Sequence, residues 1–330
     1  MNLILMLIAF IGMYSFVTWP IQTNATSKAA AENAANTFVP ILWSDEVLVQ
    51  REAKLYAAKF FKRYNHKGKP GDTIRVPLIT RTTPNDKTAT NPVTLVTQSE
   101  GKIDVLLNKW KELSRLFEDF LTIQSDYNLR SEYGKQDAYA LAKQVDSDIL
   151  ALFPANLAAA YQVSGADGKT AYDATMNTVG DLTDVGIRNA MRALEDNDID
   201  ITECALFIPP SQKAALLGID KFTLYQYYGQ AVVQKGDWGE IYGVKVKVTT
   251  QMPSTTVSGN TVRVCVLAHP EAVCSAIQQD IRVQAQYKLE YLGWLVVSDM
   301  IYGVKALRVA ADDVSTSNDR KSHAVALYTN

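Results

Sequence analysis

The most regular hydrophobic pattern near the start of the chain is an alternation that predicts a long hairpin. Apolar and polar residues alternate over residues 73–78 and again over 93–97, and a period of two is typical of β-strands. A polar, turn-rich segment at 81–91 separates the two runs. Two arms of about ten residues, at ~3.3 Å per residue, make a ribbon roughly 30 Å long. Because a two-stranded hairpin is only marginally stable alone in water, we expect it to lie on a neighbouring copy of the chain.

Apolar residues spaced three and four apart predict a long helix over residues 129–153. The stripe consists of Ala138, Leu141, Ala142, Val145, Ile149 and Phe153. At a rise of ~1.5 Å per residue this helix is about 36 Å long. We expect Pro154 to end it.

The rest of the pattern alternates between the two periods. Residues 37–64 have a helical pattern, whereas residues 103–120 fit a helix and a strand equally well. Pro270 stands where a first helical residue often does. Further helices are predicted at 187–194 and 211–217, and further strands at 204–208, 244–248, 260–267 and 287–309. The sequence YGVK occurs at 242–245 and again at 302–305, which we attribute to chance and shared strand-entry chemistry. The fold class is therefore α+β.

An apolar run at residues 3–17 complicates the N-terminus. It is shorter than the about 20 residues that span a bilayer. No Lys or Arg precedes it, although a secretory signal has a basic start. We expect residues 1–36 to form an apolar, flexible arm that packs against the protein itself. A start site placed too far upstream and a signal peptide are the alternatives.

Composition and charge argue against several classes of protein. The 330 residues are 47% hydrophobic and 21% charged, which is an ordinary globular composition. The formal net charge of −2 gives no electrostatic footprint for gripping nucleic acid along the chain. Lys109, Lys111 and Arg115 flank Trp110, but acidic residues are interleaved, so we expect a solvated or intersubunit salt-bridging face.

The cysteines suggest a reduced interior. Cys204, Cys265 and Cys274 are odd in number and show no CxxC spacing. We expect small, buried thiols and no disulfide framework.

Residues suited to catalysis or metal binding are sparse. His66, His269 and His323 are the histidines of the chain, and no two lie within helical or hairpin reach by sequence. The carboxylates at 196–200 imitate a calcium loop, but the required Gly and Glu are absent from their positions. The glycines at 165–168 lack the Walker spacing, and no GxSxG or HExxH motif occurs. We expect no enzyme activity, no metal and no cofactor.

Several stretches, in a fixed order, resemble one known family. They are FVPILWS at 38–44, GDTIRVP at 71–77, DYNLRSEY at 126–133 leading into AYALA at 138–142, LFIPP at 206–210 and GEIYGVKV at 239–246. Together with the order of arm, hairpin, long helix and mixed domain, they resemble the major capsid proteins of tailed phages, which share the Hong Kong 97-type fold. The resemblance covers residues 37–330, and the hydrophobic start at 1–19 departs from the family.

The resemblance implies a division of the chain into six parts. They are an N-terminal arm at 1–36, a helical segment at 37–71, an extended hairpin loop at 72–101, a peripheral domain at 102–164 with the spine helix at about 129–153, a mixed α/β axial domain at 165–300, and C-terminal strands at 301–330 that return to the peripheral domain.

The resemblance also implies partners and a location. The chain is expected to form hexamers and pentamers of a virion capsid, assembled in the host cytoplasm around double-stranded DNA that it does not bind sequence-specifically. Scaffolding, portal and decoration proteins are further expected partners, and a membrane is not. The apolar residues 1–19 are expected to pack inside the shell. Candidate contacts between subunits are Arg75, Arg81, Asp86, Lys87, Arg130, Glu132 and Lys135. Some relatives crosslink a lysine to an asparagine, but no motif identifies a partner for Lys87.

Two other functions stay open at this point. An encapsulin-like nanocompartment has the same fold and encloses a protein cargo. An exported enzyme or surface protein is suggested by the N-terminal run alone.

Overall fold

The computed structural model describes residues 52–68, 70–79, 84–90, 92–93, 95, 100–120, 129–171, 180–219, 239–257, 260–309 and 322–329. The predicted N-terminal arm, most of the predicted helix at 37–64 and the candidate contact Arg81 lie outside these residues.

The described elements alternate short helices and strands around one long helix. The α-helices are α1 (Ala57–Phe60), α2 (Leu129–Asn156), α3 (Asp184–Glu195) and α4 (Pro210–Leu217). The strands are β1 (Lys62–Asn65), β2 (Thr73–Ile79), β3 (Glu100–Leu106), β4 (Lys109–Glu118), β5 (Gln162–Ser164), β6 (Ala205–Ile208), β7 (Glu240–Ile241), β8 (Val244–Val248), β9 (Ser254–Val257), β10 (Asn260–Ala268), β11 (Val273–Lys288), β12 (Gly293–Ala306) and β13 (Ala324–Thr329). Turns of 3₁₀ helix lie at Ala159–Tyr161, Ile201–Glu203 and Leu289–Tyr291. None of the described helices is long and apolar enough to cross a membrane.

The described strands form three sheets. A seven-stranded sheet has the order β5-β13-β10-β6-β8-β7, with β9 paired to β10. A four-stranded sheet has the order β1-β11-β12-β4, and β2 and β3 form a two-stranded sheet by themselves. The mixture of helices with largely antiparallel sheets confirms the α+β class.

The seven-stranded sheet is buried on both faces. Side chains alternate along its strands, so Phe207 and Val266 point to one face, where Ile149 and Phe153 of α2 cover them. The opposite face presents Leu206, Cys265, Leu267 and Leu327 to Ile187 and Leu194 of α3 and Leu216 of α4. Because α2 also contacts the four-stranded sheet, one apolar cluster joins the two sheets.

The long helix is confirmed, but it does not end at Pro154. It continues to Asn156, with Pro154 inside its last turn. Proline removes one backbone donor, and here the loss falls where few helical bonds remain to be made. The Leu157 amide still donates to the Phe153 carbonyl at 3.1 Å, and both side chains are buried. Burial of these residues therefore outweighs the missing bond.

The return strand of the hairpin lies later in the sequence than the alternation predicts. β2 pairs with residues 100–106, whereas residues 92, 93 and 95 are not in a strand. The observed register places Ile74 opposite Val105 and Val76 opposite Ile103. Apolar pairs on one face of the hairpin fix this register, which a local alternation does not reveal.

Three other sequence predictions are settled by strand pairing. Residues 62–65 form β1, parallel to β11, and not the end of a helix. The ambiguous segment at 103–120 contains β3 and β4 and is therefore a strand region. No helix follows Pro270, because the chain enters β11 at Val273, whose residues pair with β12.

The three cysteines are free and buried, as the sequence predicts. Burial raises the pKa of Cys204 and Cys265 to about 12 and that of Cys274 to about 11. The thiolate is therefore suppressed at neutral pH, which makes these side chains packing residues.

Candidate functional site

The root of the β2–β3 hairpin is packed on the four-stranded sheet. Val105 and Leu107 are buried against Cys274 and Ala276 of β11, and Ile74 packs beside them. The Leu107 amide donates to the Asp72 carbonyl at 2.7 Å, which closes the base of the hairpin. The root is thus held by apolar contacts within the chain.

Gly303 of β12 allows the hairpin to approach the sheet. A Cβ added at this glycine would overlap the Leu106 carbonyl oxygen and crowd the Leu107 backbone. The missing side chain therefore lets β3 pass directly over β12. This close approach fixes where the hairpin leaves the sheet.

The outer part of the hairpin has little cover from its own chain. Among the described residues, neither outer edge of the β2–β3 pair is bonded to another strand. The segment 84–90 is exposed, and Val93 and Leu95 are 71% and 91% exposed. Unpaired edges and exposed apolar side chains are features of a surface that another chain covers.

The structure places the predicted contact residues in two separate regions. Arg75 on β2 faces Asp104 on β3 at 3.4 Å, and both are partly exposed. Asp86 and Lys87 lie in the exposed segment 84–90, where Lys87 Nζ donates to the Thr88 carbonyl at 2.9 Å. These three residues all belong to the hairpin.

The other predicted residues belong to the start of α2. Lys135 Nζ lies 2.7 Å from Glu132 Oε1, one turn away on the helix. Arg130 lies in the first turn of α2, and its side chain is outside the described part of the structure. Whether any of these residues contacts a neighbouring subunit stays a prediction.

A second exposed surface was missed by the sequence analysis. We call it the distal sheet: β4, residues 280–288 of β11 and residues 293–299 of β12. Its tip turn exposes Leu289, Tyr291 and Leu292, the first of them by 78%. The apolar sequence LEYLGWL at 289–295 is the signal in the sequence, although its pattern by itself predicts only a strand.

A carboxylate at the base of the distal sheet, at the end away from the tip turn, ties its three strands together. The buried Asp299 of β12 accepts hydrogen bonds from Trp110 of β4 at 3.2 Å and from Gln279 and Arg282 of β11 at 2.9 and 2.8 Å. The Arg282 guanidinium holds the pKa of Asp299 below its usual value. The distal sheet is therefore internally braced, although its outer strands β4 and β11 are largely exposed and only its central strand β12 is mostly buried.

Two of the three basic residues named around Trp110 are engaged within the chain. Lys109 lies 2.9 Å from Asp148 of α2, and Arg115 lies 2.9 Å from the buried Asp137. Arg115 also stacks over the Tyr133 ring at 4.7 Å. Both of these salt bridges run within the chain, between β4 and the spine helix, and an intersubunit salt-bridging face there stays a prediction.

Asp148 connects the helix to both neighbouring strands. Besides Lys109 of β4, it accepts a hydrogen bond from the Tyr302 hydroxyl of β12 at 2.6 Å. Partial burial by itself raises the pKa of Asp148, but these hydrogen bonds outweigh it and the pKa is lowered. Burial and this carboxylate raise the pKa of Tyr302.

The nearby Asp146 ties the start of the described chain to the same helix. Its carboxylate accepts from the amides of Tyr56, Ala57 and Ala58 at 2.7–3.1 Å and so caps α1.

The histidines, which the sequence separates, are partly brought together. His269 and His323 lie side by side with a ring-centroid distance of 5.6 Å, whereas His66 lies elsewhere, beside Gly71. Glu203 is 3.0 Å from His269 Nε2. The two imidazoles and the Glu203 carboxylate are groups that can exchange protons or bind a metal ion. The thiols of the chain are buried and poorly ionised, so they are unsuited to either role.

Comparison with solved structures shows the fold. The chain is similar to the structure described as Mycobacterium phage Che8, with 21% identity, a TM-score of 0.70, and coverage of 88% of this chain and 97% of that chain. It is also similar to the capsid of the cyanophage P-SCSP1u, with 14% identity, a TM-score of 0.70 and coverage of 90% and 94%. A third similar structure is the mature capsid of bacteriophage PhiM1, with 15% identity, a TM-score of 0.66 and coverage of 88% and 92%. No curated protein matches the chain.

The family is shown by the sequence itself. The model of the family described as phage capsid protein matches residues 102–312, which is well over half of the 330-residue chain. The match begins in β3 and includes the spine helix, the distal sheet and most of the seven-stranded sheet. The encapsulin-like nanocompartment and the exported enzyme find no support in these comparisons. The chain belongs to the phage capsid protein family, with the Hong Kong 97-type fold, and is a structural, non-enzymatic major capsid protein of the virion that assembles into a shell of many copies.

Proposed function

We propose that this chain builds the shell as hexamers and pentamers in which the β2–β3 hairpin lies across an adjacent subunit. The observation that carries the proposal is the contrast within the hairpin. Its root is buried on β11, whereas Val93 and Leu95 beyond the paired strands are exposed. Burying apolar surface contributes about 25 cal/mol per Å², so an adjacent subunit gains stability by covering these side chains.

The distal sheet supplies a second contact in this proposal. Leu289, Tyr291 and Leu292 at its tip are too exposed to stabilise the isolated chain. Many moderate interfaces of this kind, repeated by symmetry, hold a closed shell together. We therefore assign the tip turn to contacts among subunits that meet away from the hairpin.

The enclosed cargo of the proposed shell is double-stranded DNA, held without sequence-specific contacts. The formal net charge of −2 favours a shell wall that interacts weakly with DNA and argues against a DNA-binding groove. Lys109, next to the exposed Trp110, and Arg115, further along the same strand, already pair with carboxylates of α2. Scaffolding, portal and decoration proteins complete the proposed set of partners.

Deletion of residues 83–90 tests the hairpin. The paired strands at 73–79 and 100–106 stay intact in this variant, so the urea midpoint of the unassembled chain should not change. Shells should disappear from electron micrographs and from sedimentation profiles when the variant is expressed with the other head proteins. Normal shells from the deletion variant would refute the proposal.

A matched control separates lost assembly from general surface damage. Arg192→Ala changes an exposed residue of α3 whose partner Asp196 is equally exposed. It should leave both stability and shell formation unchanged.

A cysteine at the hairpin identifies the neighbour directly. Lys87→Cys places a thiol in the exposed segment 84–90, whereas the three native thiols are buried. A heterobifunctional thiol–amine reagent should join subunits only in assembled particles, and peptide mapping should locate the partner residue. Crosslinks confined to single chains would contradict an intersubunit position.

A further inference from the structure

Two histidines that are 54 residues apart in sequence become neighbours because of strand pairing. Ala268 of β10 is opposite Ala324 of β13, and the ladder continues by one residue, so the His269 amide donates to the His323 carbonyl at 3.0 Å. The two rings then meet edge to face. Glu271 follows in the same turn, and one ligand atom from each of the three side chains lies within 4.8 Å of the others.

The hydrogen bonds of His269 indicate its tautomer. The Glu271 amide donates to His269 Nδ1 at 3.2 Å, so this nitrogen carries a lone pair. The proton then resides on Nε2, which lies 3.0 Å from the carboxylate of Glu203. A metal-binding histidine usually donates its other ring N–H to a carboxylate in this way. With its ring proton on Nε2, His269 is oriented to bind a metal ion through the Nδ1 lone pair. The 3.2 Å hydrogen bond from the Glu271 amide would be given up on binding.

We propose that His269, His323 and Glu271 bind a divalent transition-metal ion of the zinc class. Imidazole and carboxylate are ligands that zinc accepts, and three protein ligands with one water complete a tetrahedral site. At metal–ligand bonds of about 2.0–2.2 Å, ligand atoms of such a site lie roughly 3.4 Å apart. The three ligand atoms, which lie within 4.8 Å of one another, must therefore move closer, and the half-exposed Glu271 side chain can rotate toward the two imidazoles.

A lysine beside the site does not prevent binding. Lys62 Nζ lies 3.3 Å from Glu271 Oε1, and both side chains are more than 40% exposed. Such an exposed ion pair is weak and leaves the second carboxylate oxygen for the metal.

The site lies where the chain passes from one sheet to the other. His269 follows β10 of the seven-stranded sheet, and Glu271 precedes β11 of the four-stranded sheet. His323 directly precedes β13, whose partner is β10. A bound ion therefore restrains the connection between the two sheets and should stabilise the folded chain. This inference does not depend on how the subunits contact one another.

Titration of the full-length, metal-free chain with Zn²⁺ tests the site. We expect one ion per chain by calorimetry, a higher Tm in its presence, and no competition from Mg²⁺, which prefers oxygen ligands. Co²⁺ in its place should give the intense visible absorption of a four-coordinate ion. X-ray absorption of the zinc-loaded wild type should show two imidazole ligands. An ion bound by one imidazole or none overturns the proposal without any variant having to fold.

Variants at the three histidines supply the matched comparison. H269N together with H323N should lose at least tenfold in Zn²⁺ affinity, whereas H66N, at the remaining histidine, should keep it. E203Q tests the orienting carboxylate and should weaken binding about 10-fold to 100-fold while the stoichiometry stays at one. Equal affinity in the double variant and in the wild type would overturn the assignment.

Discussion

The seven-stranded sheet and the β2–β3 hairpin bury their apolar residues in different ways. The sheet is covered on one face by α2 and on the other by α3 and α4, so the chain itself completes its core. Among the described residues the hairpin is covered mainly at its root, by β11 and β12, and Leu95 beyond the paired strands is 91% exposed. The first region therefore stabilises the subunit, whereas the second is suited to stabilise an assembly.

The core should be the region most sensitive to truncation. Phe153 is fully buried and packs on Phe61, with a distance of 5.4 Å between the ring centroids. Phe153→Ala removes this packing and leaves a cavity, which should lower the free energy of unfolding by about 3–5 kcal/mol. Urea unfolding of the unassembled chain measures the loss. Val93→Ala is the control, and a similar loss there would erase the distinction between the regions.

The place where the hairpin root crosses the four-stranded sheet should be intermediate in its sensitivity to substitution. Gly303→Val forces a side chain against the Leu106 carbonyl, and overpacking of this kind costs about 1–3 kcal/mol. Hydrogen exchange should rise at the hairpin root more than in the seven-stranded sheet. Gly134 of α2 has open space around its Cβ position, so Gly134→Ala should stabilise the chain by about 0.5–1 kcal/mol instead. Destabilisation by both changes would point to a general effect of losing glycine.

The stability that polar contacts of the core contribute should decrease in acid. The folded pKa of Asp148 is lowered below its usual 3.8, so its contribution is present above that pH and is lost as the pH falls through the folded pKa. Asp148→Asn should be less stable than the wild type at pH 7, and its Tm should fall less between pH 5 and pH 2. The Tm of the variant should still fall somewhat with pH, because other carboxylates with lowered pKa values, including Asp299 and Glu271, remain. Parallel Tm curves for the two proteins would contradict this assignment.

The outer hairpin should show the smallest effect on the subunit. Leu95→Ser changes an exposed side chain, so the free energy of unfolding should shift by no more than about 0.5 kcal/mol. The yield of shells should nevertheless fall, because a neighbour loses an apolar contact. A stability loss above this range would mean that Leu95 packs within its own chain.

Segments with a strong local period were predictable from sequence. The stripe from Leu141 to Phe153 identified α2, and the alternation at Val244 and Val246 identified β8, whose apolar residues are buried. The buried thiols also followed from composition. The order of these parts was sufficient to suggest the capsid family, which the match over residues 102–312 then established.

Pairings between distant segments were not predictable in this way. Residues 93–97 have a better strand pattern than 100–106, but Val105 has the apolar partner Ile74 and a place on β11. The histidine cluster depends equally on the register of β10 against β13.

The repeated sequence YGVK separates the two kinds of information. At 242–245 it forms the turn into β8, with positive φ at Tyr242 and Gly243, whereas at 302–305 it lies inside β12. The sequence by itself determined the periodic elements, the apolar content of the core and the family. The tertiary structure decided the hairpin register, the distal sheet and the meeting of His269 with His323. The reason is physical: a local period reflects the conformation of one segment, whereas strand register depends on which distant side chains share a buried face.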